Sequence, residues 1–219
     1  LISGNATGCA TRPEVEAACN AGTYTFTGAG GAGWSVAASW SGGVVPPDPL
    51  PAGSEITIAA NCTQNWYTTI NGTITINSGV TLTINNAAEE LTFTVNGTGH
   101  NYGTINATEE SLVTGSTGSF TNYSGANVQA ASTLGGIENN GQFTNQAGAA
   151  TNIWGAGNSG VFTNAGTVII GFIWTNLSGG ILSNSGSFTN SANSGALNNT
   201  AGATINLTGG TISLSCGIT

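Results

Sequence analysis

The sequence predicts an all-β protein, a parallel β-solenoid of about 20 residues per coil with a small N-terminal cap. One supporting observation is the phrase Phe-Thr-Asn, which returns at Phe120, Phe143, Phe162 and Phe188, close to once per coil. Another is a set of runs in which apolar and polar residues alternate without helical periodicity, which is the pattern of half-buried strands. A single repeat cannot bury its apolar side chains, so we expect successive coils to stack into a rod.

Residues 1–60 lack the repeat and form the predicted cap, which should shield the first coil of a solenoid at 61–219. The run from Thr11 to Glu14 has the form of a helix capping box, which predicts one or two helical turns. Tyr24 to Phe26 predicts a short strand, and a glycine-rich bend follows it. The proline-rich segment 46–51 predicts a stiff connector that cannot join a central strand.

Within the solenoid, the alternating runs at 73–76, 80–84 and 91–95 predict strands with one buried face. We expect the phenylalanines to stack into an aromatic column and the asparagines at turns to form an amide ladder. The positions predicted to point inward are Ile74, Ile76, Leu82, Ile84, Phe93, Val95, Ile105, Phe120, Phe143, Phe162, Phe188, Leu197, Ile205 and Ile212.

Three stretches of the chain carry a resemblance to a known group. They are the run from Trp34 to Pro46, which contains the phrase Trp-x-Gly-Gly-x-x-Pro, the run from Ala52 to Ile58, and the coil from Thr75 to Ile84. Their order resembles secreted bacterial surface proteins with right-handed β-helix repeats, of the pectin-lyase-like and adhesin type. The resemblance covers about residues 34–110 closely. It implies a right-handed parallel β-solenoid and a secreted, extracellular or cell-surface location, and it transfers no catalytic residue.

The charge composition excludes several classes of partner. The net charge is -8, and Arg12 is the only lysine or arginine. Nucleic acid is excluded as a partner because neutralising phosphates requires many basic residues. No run of 18 apolar residues occurs, so no membrane span is predicted. The chain starts at Leu1 and contains no methionine, which is typical of a processed, secreted protein.

The four cysteines, Cys9, Cys19, Cys62 and Cys216, are predicted to form disulfides in an oxidising compartment. In a continuous rod, Cys62 and Cys216 would lie near opposite ends, much further apart than the roughly 7 Å that a disulfide allows between Cα atoms. Our hypothesis is that Cys216 bonds a cysteine in the cap region of the next subunit and that the other two pair within the chain. The alternative is a C-terminal tail that folds back.

The C-terminal repeats continue up to Cys216 without an amphipathic helix or a charged loop to cover the last coil. An uncovered solenoid end presents unpaired backbone groups over an apolar layer, which favours addition of another copy. Repeated head-to-tail addition gives a filament. The predicted function is therefore that of a structural subunit of an extracellular filament or adhesive surface appendage, a homopolymer. The predicted self-assembly residues are Leu1, Ile2, Ile212, Leu214, Cys216 and Ile218.

No enzymatic activity and no cofactor are predicted. Polysaccharide lyases need basic residues, and the solenoid region has none. The only histidine, His100, is expected on the surface or in a turn. Two glutamate pairs are separated by about the length of one coil and could stack on adjacent coils, where Ca²⁺ would be the suitable ion; solvated turn charges are the simpler interpretation. These candidate metal ligands are Glu89, Glu90, Glu109 and Glu110.

The alternative function is that of a monomeric binding module for ice or for extracellular glycans. Thr-x-Thr runs at Thr73, Thr81 and Thr92 suggest a flat hydroxyl face, although this pattern fades after Thr94. The aromatic residues expected to be exposed for glycan binding are Trp66, Tyr67, Trp154 and Trp174. Nine Asn-x-Ser/Thr sequons are possible glycosylation sites, at Asn5, Asn61, Asn71, Asn96, Asn106, Asn122, Asn176, Asn198 and Asn206.

Overall fold

The computed structural model describes residues 21–64, 68–85, 92–108, 111–130, 136–190 and 196–214. Within them the chain winds through three parallel sheets, which we call sheets I, II and III. From β2 onward, strands follow one another in the order I, II, III, so each complete turn of the coil adds one strand to every sheet. This arrangement confirms the predicted parallel β-solenoid, and the handedness of the coil stays a prediction.

Most strands are four residues long. Sheet I contains β1 (Thr23–Phe26), β2 (Glu55–Ile58), β5 (Thr73–Ile76), β8 (Thr98–Asn101), β11 (Ser119–Asn122), β14 (Gln142–Asn145), β17 (Val161–Asn164), β20 (Ile181–Asn184) and β23 (Thr204–Leu207). Sheet II contains β3 (Cys62–Gln64), β6 (Thr81–Ile84), β9 (Thr104–Ala107), β12 (Asn127–Ala130), β15 (Ala150–Ile153), β18 (Thr167–Ile170), β21 (Ser187–Asn190) and β24 (Thr211–Ser213). Sheet III contains β4 (Thr68–Ile70), β7 (Thr92–Val95), β10 (Ser111–Thr114), β13 (Gly136–Asn139), β16 (Gly155–Asn158), β19 (Ile173–Asn176) and β22 (Ala196–Asn199).

The strands stack in register from one turn to the next. On sheet I, Ile56 pairs with Ile74, and Ile74 pairs with Gly99 after a longer turn. The length of the repeat therefore varies from turn to turn while the register holds, because the corners between strands absorb the difference. Nine strands at a spacing of about 4.8 Å make sheet I about 38 Å long.

Burial alternates along the strands, and the inward side chains form one continuous core. Twelve of the fourteen positions predicted to point inward are buried, and Ile205 and Ile212 of the last turn are partly buried. The rings of Phe120, Phe143 and Phe162 stack on successive strands of sheet I, with centroid separations of 5.3 and 4.8 Å. The prediction of a single phenylalanine column is wrong for Phe188, because that residue lies on sheet II, in register with Val168.

Two ladders of buried asparagine amides run along the corners of the coil, as predicted. In ladder 1, each Nδ2 donates to the Oδ1 of the asparagine on the next turn, at 2.7 to 3.0 Å. Ladder 2 repeats this arrangement at 2.7 to 2.8 Å. Ladder 1 consists of Asn101, Asn122, Asn145, Asn164 and Asn184, and ladder 2 consists of Asn139, Asn158, Asn176 and Asn199.

The amides of both ladders also bind the backbone. Nδ2 of Asn145 donates to the carbonyl oxygen of Thr167 at 3.1 Å, and Nδ2 of Asn158 donates to that of Ile181 at 3.1 Å. Each accepting residue is the first of a strand on the following turn. Because an amide offers two donors and an acceptor, it can tie its own turn to both neighbours.

Glycines precede several strands because the turns approach each other closely at the corners. A Cβ atom on Gly160 would lie 2.1 Å from the carbonyl oxygen of Gly141, and one on Gly141 would lie 2.3 Å from that of Gly118. No side chain fits in this space. The glycine that comes two residues before Phe-Thr-Asn in the sequence is therefore required by the stacking of one turn on the next.

Candidate functional site at the ends of the solenoid

The C-terminal end of the described solenoid is open. β23 pairs only with β20, and β24 pairs only with β21, so among the described residues each has a strand partner on one side. A strand edge of this kind presents unpaired N–H and C=O groups, which can accept a further strand or chain.

An apolar layer is only half covered at this end. Ile205 continues the buried column of Leu182, and Ile212 continues that of Phe188, yet both are only partly buried. Leu207 takes the place that Asn184 holds one turn earlier, at the end of ladder 1, and it is 56% exposed. The last turn is therefore built like its predecessors, but its core side chains meet solvent.

At the N-terminal end, the chain covers its own strands. On sheet II, Thr63 N–H donates to the carbonyl oxygen of Ala32 at 2.6 Å, and Trp34 N–H donates to that of Thr63 at 2.8 Å. On sheet III, Leu50 N–H donates to the carbonyl oxygen of Thr69 at 2.8 Å. On sheet I, β1 lies on β2, so the strand predicted at Tyr24–Phe26 is confirmed as an edge strand.

Aromatic side chains fill this N-terminal end. Trp34 and Trp40 are each 2% exposed and meet edge to face at 5.0 Å, and Trp40 meets Phe26 in the same way at 5.1 Å. The Trp40 Nε1–H donates to the carbonyl oxygen of Trp34 at 2.6 Å. Two short 3₁₀ turns, Ala37–Ser39 and Ser41–Gly43, complete the loop. The two ends thus differ in the described residues: the chain covers the first strands of sheets II and III itself, whereas β23 and β24 have no strand beyond them.

Exposed aliphatic side chains occur at both ends. Val36 and Val44 border the 3₁₀ turns of the N-terminal loop and are 38% and 57% exposed. Leu207 is exposed at the opposite end. Burying such residues against each other is favourable by about 25 cal/mol per Å² of apolar surface. Of the predicted self-assembly residues, Ile212 and Leu214 lie in the partly buried last turn, whereas Leu1, Ile2, Cys216 and Ile218 lie outside the described residues.

Cys62 is the one cysteine within the described part of the chain. It lies on β3, is 2% exposed and has a free thiol, so the disulfide predicted for it is not present. Burial raises the pKa of this thiol to about 12, which keeps it protonated and unreactive. Cys9, Cys19 and Cys216 lie outside the described residues, as does the capping box at 11–14, so those predictions stand untested.

The remaining predicted charged and polar positions are distributed as follows. Glu89, Glu90, Glu109 and Glu110 lie outside the described residues. Within the described ranges, no group of three His, Cys, Asp or Glu side chains could hold a metal ion. His100 lies on the outer face of β8, where its Nδ1 shares a hydrogen bond of 3.1 Å with Tyr123 Oη.

Two of the predicted glycosylation positions are wrong. Asn122 and Asn176 are 0% exposed and belong to the two ladders, so a glycan cannot be attached to them in the folded protein. Asn5 lies outside the described residues. The other sequon asparagines are exposed or half-buried and stay predictions: Asn61, Asn71, Asn96, Asn106, Asn198 and Asn206.

Two of the four aromatic residues expected to be exposed for glycan binding lie within the described residues, and neither is fully exposed. Trp174 is 0% exposed and packs between Phe162 and Phe188, at 4.6 and 5.2 Å, which corrects the expectation for this residue. Trp154 is half-buried and stacks at 5.7 Å on Phe172, a residue that the sequence reasoning did not single out. Trp66 and Tyr67 lie outside the described residues.

The outer face of sheet I carries a column of threonines in register. The threonines of the first three Phe-Thr-Asn copies belong to this column, because Phe and Asn point inward and the intervening Thr points outward. His100 interrupts the column between Thr75 and Thr121. Its threonines are Thr25, Thr57, Thr75, Thr121, Thr144 and Thr163.

Comparisons with protein-family models, with curated proteins and with solved structures found no match to this chain. None of the described residues belongs to a helix long and apolar enough to cross a membrane.

Proposed function

We propose that the protein is a structural subunit that assembles head to tail into an extracellular filament or adhesive appendage. The observation that carries this proposal is the open C-terminal end, where β23 and β24 each have a described strand partner on one side only and the core residues of the last turn are only partly buried. A second copy that covers this end would pair the free strand edges and bury the apolar layer. Contacts that repeat in one direction without closing produce a filament.

The opposite end supplies a suitable surface for the next copy. The first strands of sheets II and III are already covered there, so the contact is made by the outside of the N-terminal loop rather than by an exposed core. Val36 and Val44 provide apolar surface there, and Leu207 provides it on the open end. The low charge of the chain, 5% of residues, limits repulsion between copies.

Electron microscopy and sedimentation of the purified protein test this proposal. We expect fibres with an axial repeat of about one subunit length, about 40 Å when the loop is added to sheet I. Leu207→Asp places a charge on the open end at an exposed position and should leave short single rods. Leu177→Asp is the matched control, because Leu177 is also exposed, at 41%, but lies on the side of the solenoid.

Two results contradict the proposal. One is wild-type protein that stays a single rod at every concentration, and the other is Leu207→Asp protein that assembles as well as the Leu177→Asp control. The folded state of each variant is checked by circular dichroism, because a solenoid that unfolds would also fail to assemble.

The second candidate function is that of a monomeric ice-binding module, and the threonine column of sheet I is the observation that favours it. Fixed hydroxyl and methyl groups repeat there at the strand spacing of about 4.8 Å. Thermal hysteresis in freezing solutions tests this function. Activity that is lost in Thr144→Lys would support it, and wild-type protein without any hysteresis would contradict it.

A further inference from the structure

Three ring-bearing side chains meet on the side of the solenoid, away from both ends. Tyr102 follows β8 and Tyr123 follows β11, so they occupy the same corner on adjacent turns. Their rings stack with a centroid separation of 4.2 Å and an interplanar angle of 17°. His100 lies 5.7 Å from the ring of Tyr123 and shares a hydrogen bond with its hydroxyl group. We call these three residues the tyrosine–histidine cluster.

The fold itself does not require aromatic residues at this corner. The residue that follows the strand donates its N–H to the preceding turn in the same way whether it is Tyr102, Tyr123, Gln146, Ala165 or Ser185. Small or polar side chains therefore satisfy the position on the other turns. In the same region, His100 replaces a threonine of the sheet I column. Tyr102, Tyr123 and His100 thus depart from the repeat at the same place, which indicates that they have a role other than stabilising the fold.

The corner at Tyr102 is shorter than the corresponding corners on the neighbouring turns. It contains two residues, 102–103, whereas the corners on the turns before and after it contain four, 77–80 and 123–126. Tyr102 is 41% exposed although one face of its ring lies on Tyr123, so the rest of the ring meets solvent. The longer corners flank an exposed ring on either side.

The chemistry of the cluster defines the class of ligand. No Lys or Arg occurs in the described residues, so nothing there neutralises an anion. Tyr102 is partly exposed and its ring is electron-rich, which suits contact with the C–H groups of a sugar ring. Two phenol groups, an imidazole and the hydroxyl groups of Thr75 and Thr121 beside it can exchange hydrogen bonds with sugar hydroxyls.

From these contacts we infer that the tyrosine–histidine cluster is a binding site for a neutral polysaccharide, with one pyranose ring stacked on Tyr102. The neighbouring phenol group of Tyr102 raises the pKa of Tyr123 above its ordinary value, so the Tyr123 hydroxyl group stays neutral. The site lies on the third and fourth turns of the solenoid, counted from β2, and leaves the ends free. A filament that carries it would present one such site per subunit along its side.

Titration calorimetry with cellohexaose and chitohexaose tests this inference, with oligogalacturonate as the charged comparison. We expect wild-type protein to bind at least one neutral oligosaccharide and to bind it more tightly than oligogalacturonate. Tyr102→Ala should weaken binding about tenfold or more, equivalent to about 1.4 kcal/mol. Tyr102→Phe keeps the ring and should bind within about threefold of wild type. Phe172→Ala is the matched control, because it removes an exposed aromatic ring at another corner.

Wild-type protein that binds neither neutral oligosaccharide would overturn the inference, and so would binding that Tyr102→Ala leaves unchanged. Melting curves show whether each variant is folded. Because Tyr102 lies away from both ends, Tyr102→Ala should still form filaments. The inference and the proposed assembly can therefore fail independently.

Discussion

Replacing Asn145 of ladder 1 with alanine should strongly destabilise the solenoid. The Asn145 side chain is 0% exposed and makes four hydrogen bonds. It donates to Asn164 Oδ1 at 2.8 Å and to the carbonyl oxygen of Thr167 at 3.1 Å. It accepts from Asn122 Nδ2 and from Thr151 Oγ1, both at 3.0 Å.

The expected loss follows from these bonds. At about 1 kcal/mol for each buried hydrogen bond, Asn145→Ala should lower the free energy of unfolding by about 4 kcal/mol. Asn140→Ala is the matched control, since Asn140 is exposed and its side chain accepts one bond, from Ser159 Oγ at 2.6 Å. The control should change the free energy of unfolding by less than about 0.5 kcal/mol.

Urea unfolding followed by circular dichroism measures both losses. Double-mutant cycles add a stricter test. The losses in free energy of unfolding caused by Asn122→Ala and Asn145→Ala should be non-additive, because the two side chains share a hydrogen bond. The losses caused by Asn145→Ala and Asn176→Ala should be additive, because these residues lie in different ladders. Equal losses for Asn145→Ala and Asn140→Ala would refute the reasoning that the buried amides hold successive turns together.

Three further predictions concern the core. Thr114 Oγ1 and Asn139 Oδ1 are buried without partners in the described structure, and the two residues are in register. Thr114→Asn should therefore extend ladder 2 by one hydrogen bond. In urea unfolding experiments, this variant should have a free energy of unfolding about 1 kcal/mol higher than that of the wild type. The Cys62 thiol should react with iodoacetamide only after unfolding. Its pKa rises from 9.0 to about 12 on folding, so above pH 9 the thiol ionises more readily in the unfolded state. Relative to Cys62→Ala, the free energy of unfolding should therefore be unaffected below pH 9 and should fall by about 1.4 kcal/mol per pH unit above it. A Cβ atom on Gly99 would lie 2.3 Å from the ring of Phe120, so Gly99→Ala should lower the melting temperature. Gly157→Ala is the control, because a Cβ atom there would meet its nearest neighbour, Leu177 Cδ1, at 3.8 Å. The control should change the melting temperature less.

The fold could be predicted from the sequence because the alternation of apolar and polar residues can be read within each short strand. Alternation along each strand identified inward residues such as Phe93 and Ile105, and both are fully buried. Alternation cannot say which sheet a strand joins, since all three sheets follow the same pattern. The differing lengths of the corners decide that, and they place Phe188 on sheet II rather than above Phe162.

The misplaced site residues share one cause. Trp174-Thr175-Asn176 is a variant of Phe-Thr-Asn, with its first and third side chains inward, and this similarity could have identified Trp174 as buried. The same pattern places Asn122 inward, although its sequon suggests a surface position. The tyrosine–histidine cluster was missed because Tyr102 and Tyr123 are a full turn apart in the sequence, and only the register brings them together.

Both asparagine ladders are directional. In every bond between two of these amides, the donor lies on the N-terminal side and the acceptor on the C-terminal side. Side-chain dipoles aligned in this way polarise one another along the row. The solenoid is consequently polar along its axis. A filament made by stacking such subunits head to tail would also be polar, and its two ends would grow at different rates.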